Sequence, residues 1–350
     1  MDMITDRLHE TDSAMASNAL DLICTIGPAT FDPAVLTRLI DLGVSRFRLP
    51  FSKEPIDTQR IRVERIYEAA KGRPVTILMD LPGSKARLDN MAPVNVQKGQ
   101  RFRICFSSSS ASGGPTAAIG LTSFHAAAEI AAGAVVVTGD GELSFEVLEV
   151  DSTGMDTVAV QSGILGPARG VAFLDSVDTQ FVCLTERDQA SLEFLNTGLV
   201  QGLMLSFVEC AADVLHARRL CASHTAAHLQ VYAKLETRKG ISQMEEIAET
   251  ADFLLLARGD LLLNLGLAAF CAAEWNFLQT SIAAERLVVG TQLFNSLSDN
   301  ALPNRAELTA FHLFLRSGIS RFLLSTETTV GNAPVHTVET MSQLYRSLRN

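Results

Sequence analysis

The 350-residue sequence contains no CxxC pair, although it has six cysteines, at Cys24, Cys105, Cys183, Cys210, Cys221 and Cys271. Their scatter excludes the usual zinc and dithiol spacings and fits reduced thiols better than a disulfide framework. Positive charge is also scarce. Lys and Arg number 29 against 39 Asp and Glu, a formal net charge of −10, which argues against nucleic acid as the main partner. No run approaches the ~20 apolar residues of a membrane span. Residues 1–20 mix acidic and polar side chains without a continuous apolar core, so no signal peptide is expected. A cytoplasmic location and the absence of a membrane partner follow as expectations. Finally, no GxGxxG follows the first strand-like run, which removes the dinucleotide fingerprint of an open doubly wound sheet.

What remains is a well-buried globular composition, 47% hydrophobic and 19% charged, in a chain long enough for a barrel with an insertion. Strand-like runs occur at Leu22–Ile26, Val44–Leu49, Val75–Met79, Leu199–Leu205, Leu229–Leu235, Asp252–Leu256, Leu287–Val289 and Arg321–Leu324. Helix-like segments such as Pro33–Leu42, Pro55–Ala70, Glu186–Leu195 and Ala211–Leu220 lie between them. Eight strands alternating with helices predict an α/β protein with a (β/α)8 TIM barrel. The alternation lapses between about Gly83 and Asp178, where SSSSASGG and AVVVTGDGELSFEVLEV suggest turns and short strands, with a turn at Gly139-Asp140-Gly141. The expected organisation is an N-terminal extension at 1–20, a barrel from 21–82 and 179–350, and a small β-rich lid domain at 83–178, inserted after the third barrel strand.

The chemistry centres on residues 231–260, VYAKLETRKGISQMEEIAETADFLLLARGD. Side chains two apart on a strand face the same way, so Lys234 and Glu236 project together. Glu236 ends one strand, and Asp260 lies just past the next. In a parallel barrel those ends are neighbours on the catalytic rim. Two carboxylates beside a lysine suit a hard divalent ion holding an anionic oxygen ligand. An ordinary βαβ unit with a rim salt bridge has the same spacing, and at this level both readings stand.

A series of motifs resembles the pyruvate kinase family. AKLETRKG and ADFLLLARGDL are similar to its KIEN…G and ARGDLG segments. CTIGPAT (Cys24–Thr30) resembles TIGPAS, and RFRLPFSK (Arg46–Lys53) resembles RLNFSHG. LMDLPGSKARL (Leu78–Leu88) resembles DTKGPEIR, and CLTERDQASLEFL (Cys183–Leu195) resembles LTEKDxxDLxF. MLSFVECAADV, VVGTQLFNSLSDNALPNRAEL and LLSTETTVGNAPVHTVETM match the later motifs in order. Within the insertion, GDGELSFEV and SGILGPARGV are similar to the family's lid. The likeness spans roughly Asp21 to Leu348 and implies a barrel and lid without the family's C-terminal regulatory domain.

The resemblance implies transfer of a phosphoryl group between phosphoenolpyruvate and ADP, giving pyruvate and ATP. It assigns Mg2+ or Mn2+ to Glu236 and Asp260. Lys234 would neutralise the transferring group, Arg48 would clamp phosphate, and Thr291 would lie on the protonation route. Backbone amides of Arg258, Gly259 and Asp260 would hold the substrate carboxylate. Ser52 and Asp80 match a monovalent-cation site, but Pro50 and Leu81 replace two of its ligands, and Lys85 stands where the family has glutamate. In that family a lysine there accompanies independence from K+, so Lys85 is expected as the resident cation, with K+ not required. Lys53 and Arg87 are the weaker nucleotide-side candidates. Thr185 is expected to N-cap a helix with Asp188 three residues on. Ser206, at a strand end, can face the pocket or cap the next helix. The metal–enolate half matches the family better than the phosphate-acceptor half, since Pro50, Lys53 and Pro82 all depart from it. A pyruvate-enolate lyase or aldolase, or an inactive homologue, is therefore the alternative. A homo-oligomer assembled through the barrel is compatible with the sequence.

Overall fold

A computed structural model describes residues 19–52, 55–90, 92–107, 117–122, 130–139, 141–174 and 181–349. Nearly all of the expected extension, Lys53, Asp140 and the expected end of the insertion at 178 lie outside these residues. The chain begins with strands β1 (Asp21–Thr25), β2 (Arg46–Pro50) and β3 (Thr76–Leu81). A run of shorter or antiparallel strands follows: β4 (Val94–Val96), β5 (Arg101–Cys105), β6 (Ala117–Gly120), β7 (Val135–Thr138), β8 (Leu143–Asp151), β9 (Gly154–Ala159), β10 (Gly163–Leu165) and β11 (Val171–Leu174). Five more complete the set: β12 (Gly202–Leu205), β13 (Gln230–Leu235), β14 (Phe253–Ala257), β15 (Leu287–Gly290) and β16 (Arg321–Leu324).

The first three and last five strands close into one barrel, ordered β1-β16-β15-β14-β13-β12-β3-β2, and every neighbour is parallel. Helices connect them, so this is the (β/α)8 barrel that the alternation predicts. Burial explains the closure. Inward-facing Ile23, Leu78, Met204, Tyr232, Leu255, Val288 and Leu323 fill the lumen. The alternate residues, such as Leu22, Cys24, Phe47 and Leu49, pack outward against the helices.

Strand β2 keeps this alternation but turns charged residues inward. Phe47 and Leu49 take the outer face, which turns Arg46 and Arg48 into the barrel. Arg46 lies at one end, bonded to Asp21 at 2.9 Å and Gln230 at 3.1 Å. Arg321 reaches the same Asp21 oxygen at 2.7 Å and stacks over Phe253. This ionic plug seals the N-terminal mouth. Arg48 points to the opposite, C-terminal mouth.

Between β3 and β12 stands the expected β-rich lid: a mixed sheet ordered β11-β7-β8-β9-β5-β6 and the pair β10-β4. Its own core includes Phe102 and Phe145, edge to face at 5.7 Å. The chain leaves the barrel at Gly83 (φ +62°), where a Cβ would stand 3.1 Å from the Val182 carbonyl oxygen. The Ser84 N–H donates to that carbonyl at 2.9 Å, and the Val182 N–H donates to Ser84 Oγ at 2.8 Å. Exit and return are thus pinned together. Val137 and Ala172 of the lid pack on Leu263 of the helix Arg258–Leu265. Among the described residues no helix is long and apolar enough to cross a membrane.

Candidate active site

Three carboxylates and three cationic side chains meet at the C-terminal mouth. Asp80 ends β3, and its Oδ2 accepts from Arg48 Nη2 at 2.7 Å and Nε at 3.1 Å. Parallel pairing sets this up, since Arg48 faces Leu78 in the register and Pro50 faces Asp80. The remaining Arg48 nitrogen donates to Thr25 Oγ1 at 3.0 Å. The Lys234 Nζ lies 3.2 Å from Asp80 Oδ1 and 3.4 Å from Glu236 Oε1. Asp80 Oδ1 is buried and has no aligned hydrogen bond, so charge alone joins it to Lys234. Glu236 Oε2 accepts from the Phe207 N–H at 2.8 Å.

The electrostatics follow from depth. Burial alone would discharge Lys234, but Asp80 and Glu236 outweigh it and strengthen its hold on its proton. Burial likewise opposes the Asp80 charge, yet Arg48 and Lys234 keep that carboxyl below its usual range. Glu236 goes the other way. Its carboxyl is raised to about 7, because burial together with the neighbouring Asp260 charge outweighs the lowering by Lys234, the Phe207 N–H and Lys85. Asp260 is held below the usual range by Lys85, against burial. Lys85 Nζ makes a short ion pair with Asp260 Oδ1.

Glu236 and Asp260 fit a divalent ion on these grounds. Glu236 is buried and Asp260 partly so, they stand at adjacent strand ends with charges that repel, and a hard cation would relieve both burial and repulsion. Among the described residues no group of three or more His, Cys, Asp or Glu is arranged to hold a metal ion by itself. Further ligands of such an ion would therefore be substrate oxygens and water.

Other sequence candidates lie apart from this cluster or are otherwise engaged. The Arg258 guanidinium turns to Glu274 at 2.7 Å and to the Gln292 carbonyl at 3.1 Å, braced over Phe314. The Gly259 N–H donates to Thr291 Oγ1 at 2.8 Å, so it could reach a substrate only if that hydroxyl gave way. Arg87 donates to the Ala168 carbonyl at 3.2 Å, on the lid junction. The Ser52 carbonyl accepts from Arg187 at 3.1 Å. Ser206 donates to the Leu81 carbonyl at 2.6 Å and does not cap the next helix, whose N-cap is Cys210.

Sequence reasoning missed several supports. Glu327, 1% exposed, accepts from the Leu293 and Phe294 N–H groups at 3.1 and 3.2 Å and from Ser325 N–H at 2.9 Å. It ties together the loops after β15 and β16. Asn264 donates to the Glu236 carbonyl at 2.9 Å. Phe207, Thr291 and Gln292 all hold positive φ (+53°, +69°, +50°) at strand ends on this rim. Such conformations are costly for residues other than glycine and cluster at functional sites. A single sequence carries no signal for any of these.

The family model for the pyruvate kinase barrel domain matches residues 18–338. A pyruvate kinase of Geobacillus stearothermophilus is 32% identical over 331 residues, which is 92% of this chain and 56% of that protein. One from Thermotoga maritima is 29% identical, covering 92% of this chain and 69% of that protein. One from Chlamydia trachomatis is 30% identical over 330 residues, with 92% and 67% covered. The chain thus spans between about half and two thirds of the length of these relatives.

Proposed function

Given that the chain belongs to the pyruvate kinase family, we propose that it catalyses phosphoryl transfer between phosphoenolpyruvate and ADP at the C-terminal mouth of its barrel. The observation that carries this reading is the buried Lys234, held by Asp80 and Glu236 beside Asp260. A loose phosphoryl-transfer transition state demands positioned positive charge rather than covalent help. Lys234, kept charged by two carboxylates, supplies it to the transferring group. Arg48, oriented by Asp80 and Thr25, clamps the phosphate as a fixed guanidinium. Bound by Glu236 and Asp260, Mg2+ or Mn2+ would supply Lewis-acid neutralisation of the enol oxygen.

Thr291 accepts the Gly259 N–H and keeps its own hydroxyl proton to give. In this reading that proton serves the route that protonates the methylene carbon of the three-carbon acid. Backbone amides of Arg258 and Asp260, joined by that of Gly259 once Thr291 Oγ1 gives way, take the substrate carboxylate. Lys85, paired with Asp260, supplies the positive charge that a monovalent cation would otherwise bring, so K+ is not required. Arg87, at the lid junction, is the described candidate for contact with the nucleotide. Residues 83–178 act as a lid that excludes water during transfer. A cytoplasmic location belongs to the same reading.

The test is to incubate the protein with phosphoenolpyruvate, ADP and Mg2+, with and without K+, and to measure ATP. Equal ATP formation in both is expected. Lys234→Met should lower turnover far more than tenfold, a loss well above ~1.4 kcal/mol of transition-state stabilisation. Keto-acid cleavage without ATP, or a Lys234→Met variant within about tenfold of the parent, would overturn the assignment.

A further inference from the structure

Lys85 is placed by two unrelated contacts. Its ammonium grips Asp260 Oδ1, and its stem crosses Gly170 of the lid so closely that a Cβ there would stand 2.6 Å from Lys85 Cε. Gly170 cannot drift away. It bridges Arg87 in an antiparallel pair, flanked by the Val171 N–H to Ala86 carbonyl bond at 2.9 Å and the Leu88 N–H to Arg169 carbonyl bond at 2.9 Å. The absence of a side chain at position 170 is therefore what leaves Lys85 a straight path to Asp260.

We propose that Lys85 is a resident counter-ion which a divalent cation must displace from Asp260, and that Gly170 is the positioning residue that lets it reach. The proposal rests on Asp260 being a metal ligand, as read above. The oxygen that Lys85 occupies is one a divalent ion would need, and an ammonium and a metal ion repel. In the absence of metal the pair keeps a partly buried carboxylate from being left alone. Displacement also touches the lid. Lys85 directly follows Ser84, one half of the pinned exit and return. Leu263, three residues after Asp260 on the same helix face, is where Val137 and Ala172 of the lid rest. Metal arriving at Asp260 thus removes one tie between that helix and the lid region, beside the apolar contact at Leu263.

Gly170→Ala separates this contact from general charge repulsion, because it moves Lys85 without changing any charge. The obstructed atom is near the free end of a flexible side chain, and Gly170 is not in the left-handed region, so the backbone accepts alanine. Free Mn2+ is measured by electron paramagnetic resonance during titration of the full chain at fixed pH and ionic strength. Asp260→Asn should abolish tight Mn2+ binding. Lys85→Met and Gly170→Ala should each tighten it, by about threefold to tenfold for release of a partly exposed ion pair. The double variant should bind no tighter than Lys85→Met alone. Should Gly170→Ala fail to fold, Arg87→Met removes a nearby charge that does not touch Asp260, and it should tighten binding less than Lys85→Met.

Unchanged affinity in Gly170→Ala and Lys85→Met, with Asp260→Asn still abolishing binding, overturns the proposal alone. So does an equal Gly170→Ala effect in the Lys85→Met background, or equal effects of Arg87→Met and Lys85→Met. No Mn2+ binding by the parent, or binding unaffected by Asp260→Asn, overturns the reading of Asp260 as a ligand and the proposal with it.

Discussion

Asp80 and Asp252 show two uses of a carboxylate in one barrel. Asp80, at the C-terminal mouth, joins Arg48 to Lys234 and so fixes the site's charges. Asp252, just before β14 at the other end, accepts the Val231 N–H at 2.7 Å and Arg218 Nη2 at 2.7 Å. Burial opposes its charge, but the Val231 N–H and Arg218 outweigh it and hold the carboxyl below its usual range. A depressed folded pKa adds stability above the unfolded carboxylate range, and this is lost as pH falls through the folded value. Asp252→Asn should therefore lower the melting temperature at pH 7, by a cost of about 1–2 kcal/mol for the weakened charged bonds. The gap should close below about pH 4. A gap that persists unchanged into acid would contradict it. Lys234 and Glu236 were legible in the sequence because strand period alone aligns them. The meeting of Lys234 with Asp80 was not, since β3 and β13 are separated by β12 and only closure of the barrel brings their ends together.

At the scale of elements, capping chemistry was the most readable feature. Thr185 caps the helix Glu186–Ser191 with Asp188 completing the box, as expected. The strands were legible in number and order but shifted at their ends. Val44 and Val200 are buried beneath the helices, so their apolar character marks the outer core rather than the ladder. Asn304 stands where the related motif has threonine, and it serves the same purpose. Its side chain accepts from the Glu307 N–H at 2.9 Å, while Glu307 Oε2 accepts from the Asn304 N–H at 3.1 Å. Asn304→Ala should destabilise the protein by ~1 kcal/mol in chemical denaturation, and Asn304→Thr by much less. Equal losses for both would deny the cap its role.

For the whole molecule, the formal charge of −10 means that the proposed reaction must draw a phosphorylated acid into an acidic protein. Arg48, Lys85 and Lys234 balance Asp80, Glu236 and Asp260 at the mouth, and a divalent ion would tip that balance positive where low-dielectric walls focus the field. The barrel and its lid could be read from alternation and its lapse, because both are written in local apolar pattern. The docking of the lid on Leu263 could not, because it depends on how two separate cores come to rest. Diffraction from crystals grown with Mn2+ and oxalate, recorded for the anomalous signal of manganese, tests the site most directly. A single peak within about 2.5 Å of both the Glu236 and Asp260 carboxylates, with Lys234 beside the oxalate, is the expected result. A peak elsewhere, or one that touches neither carboxylate, would contradict a metal-centred phosphoryl-transfer site.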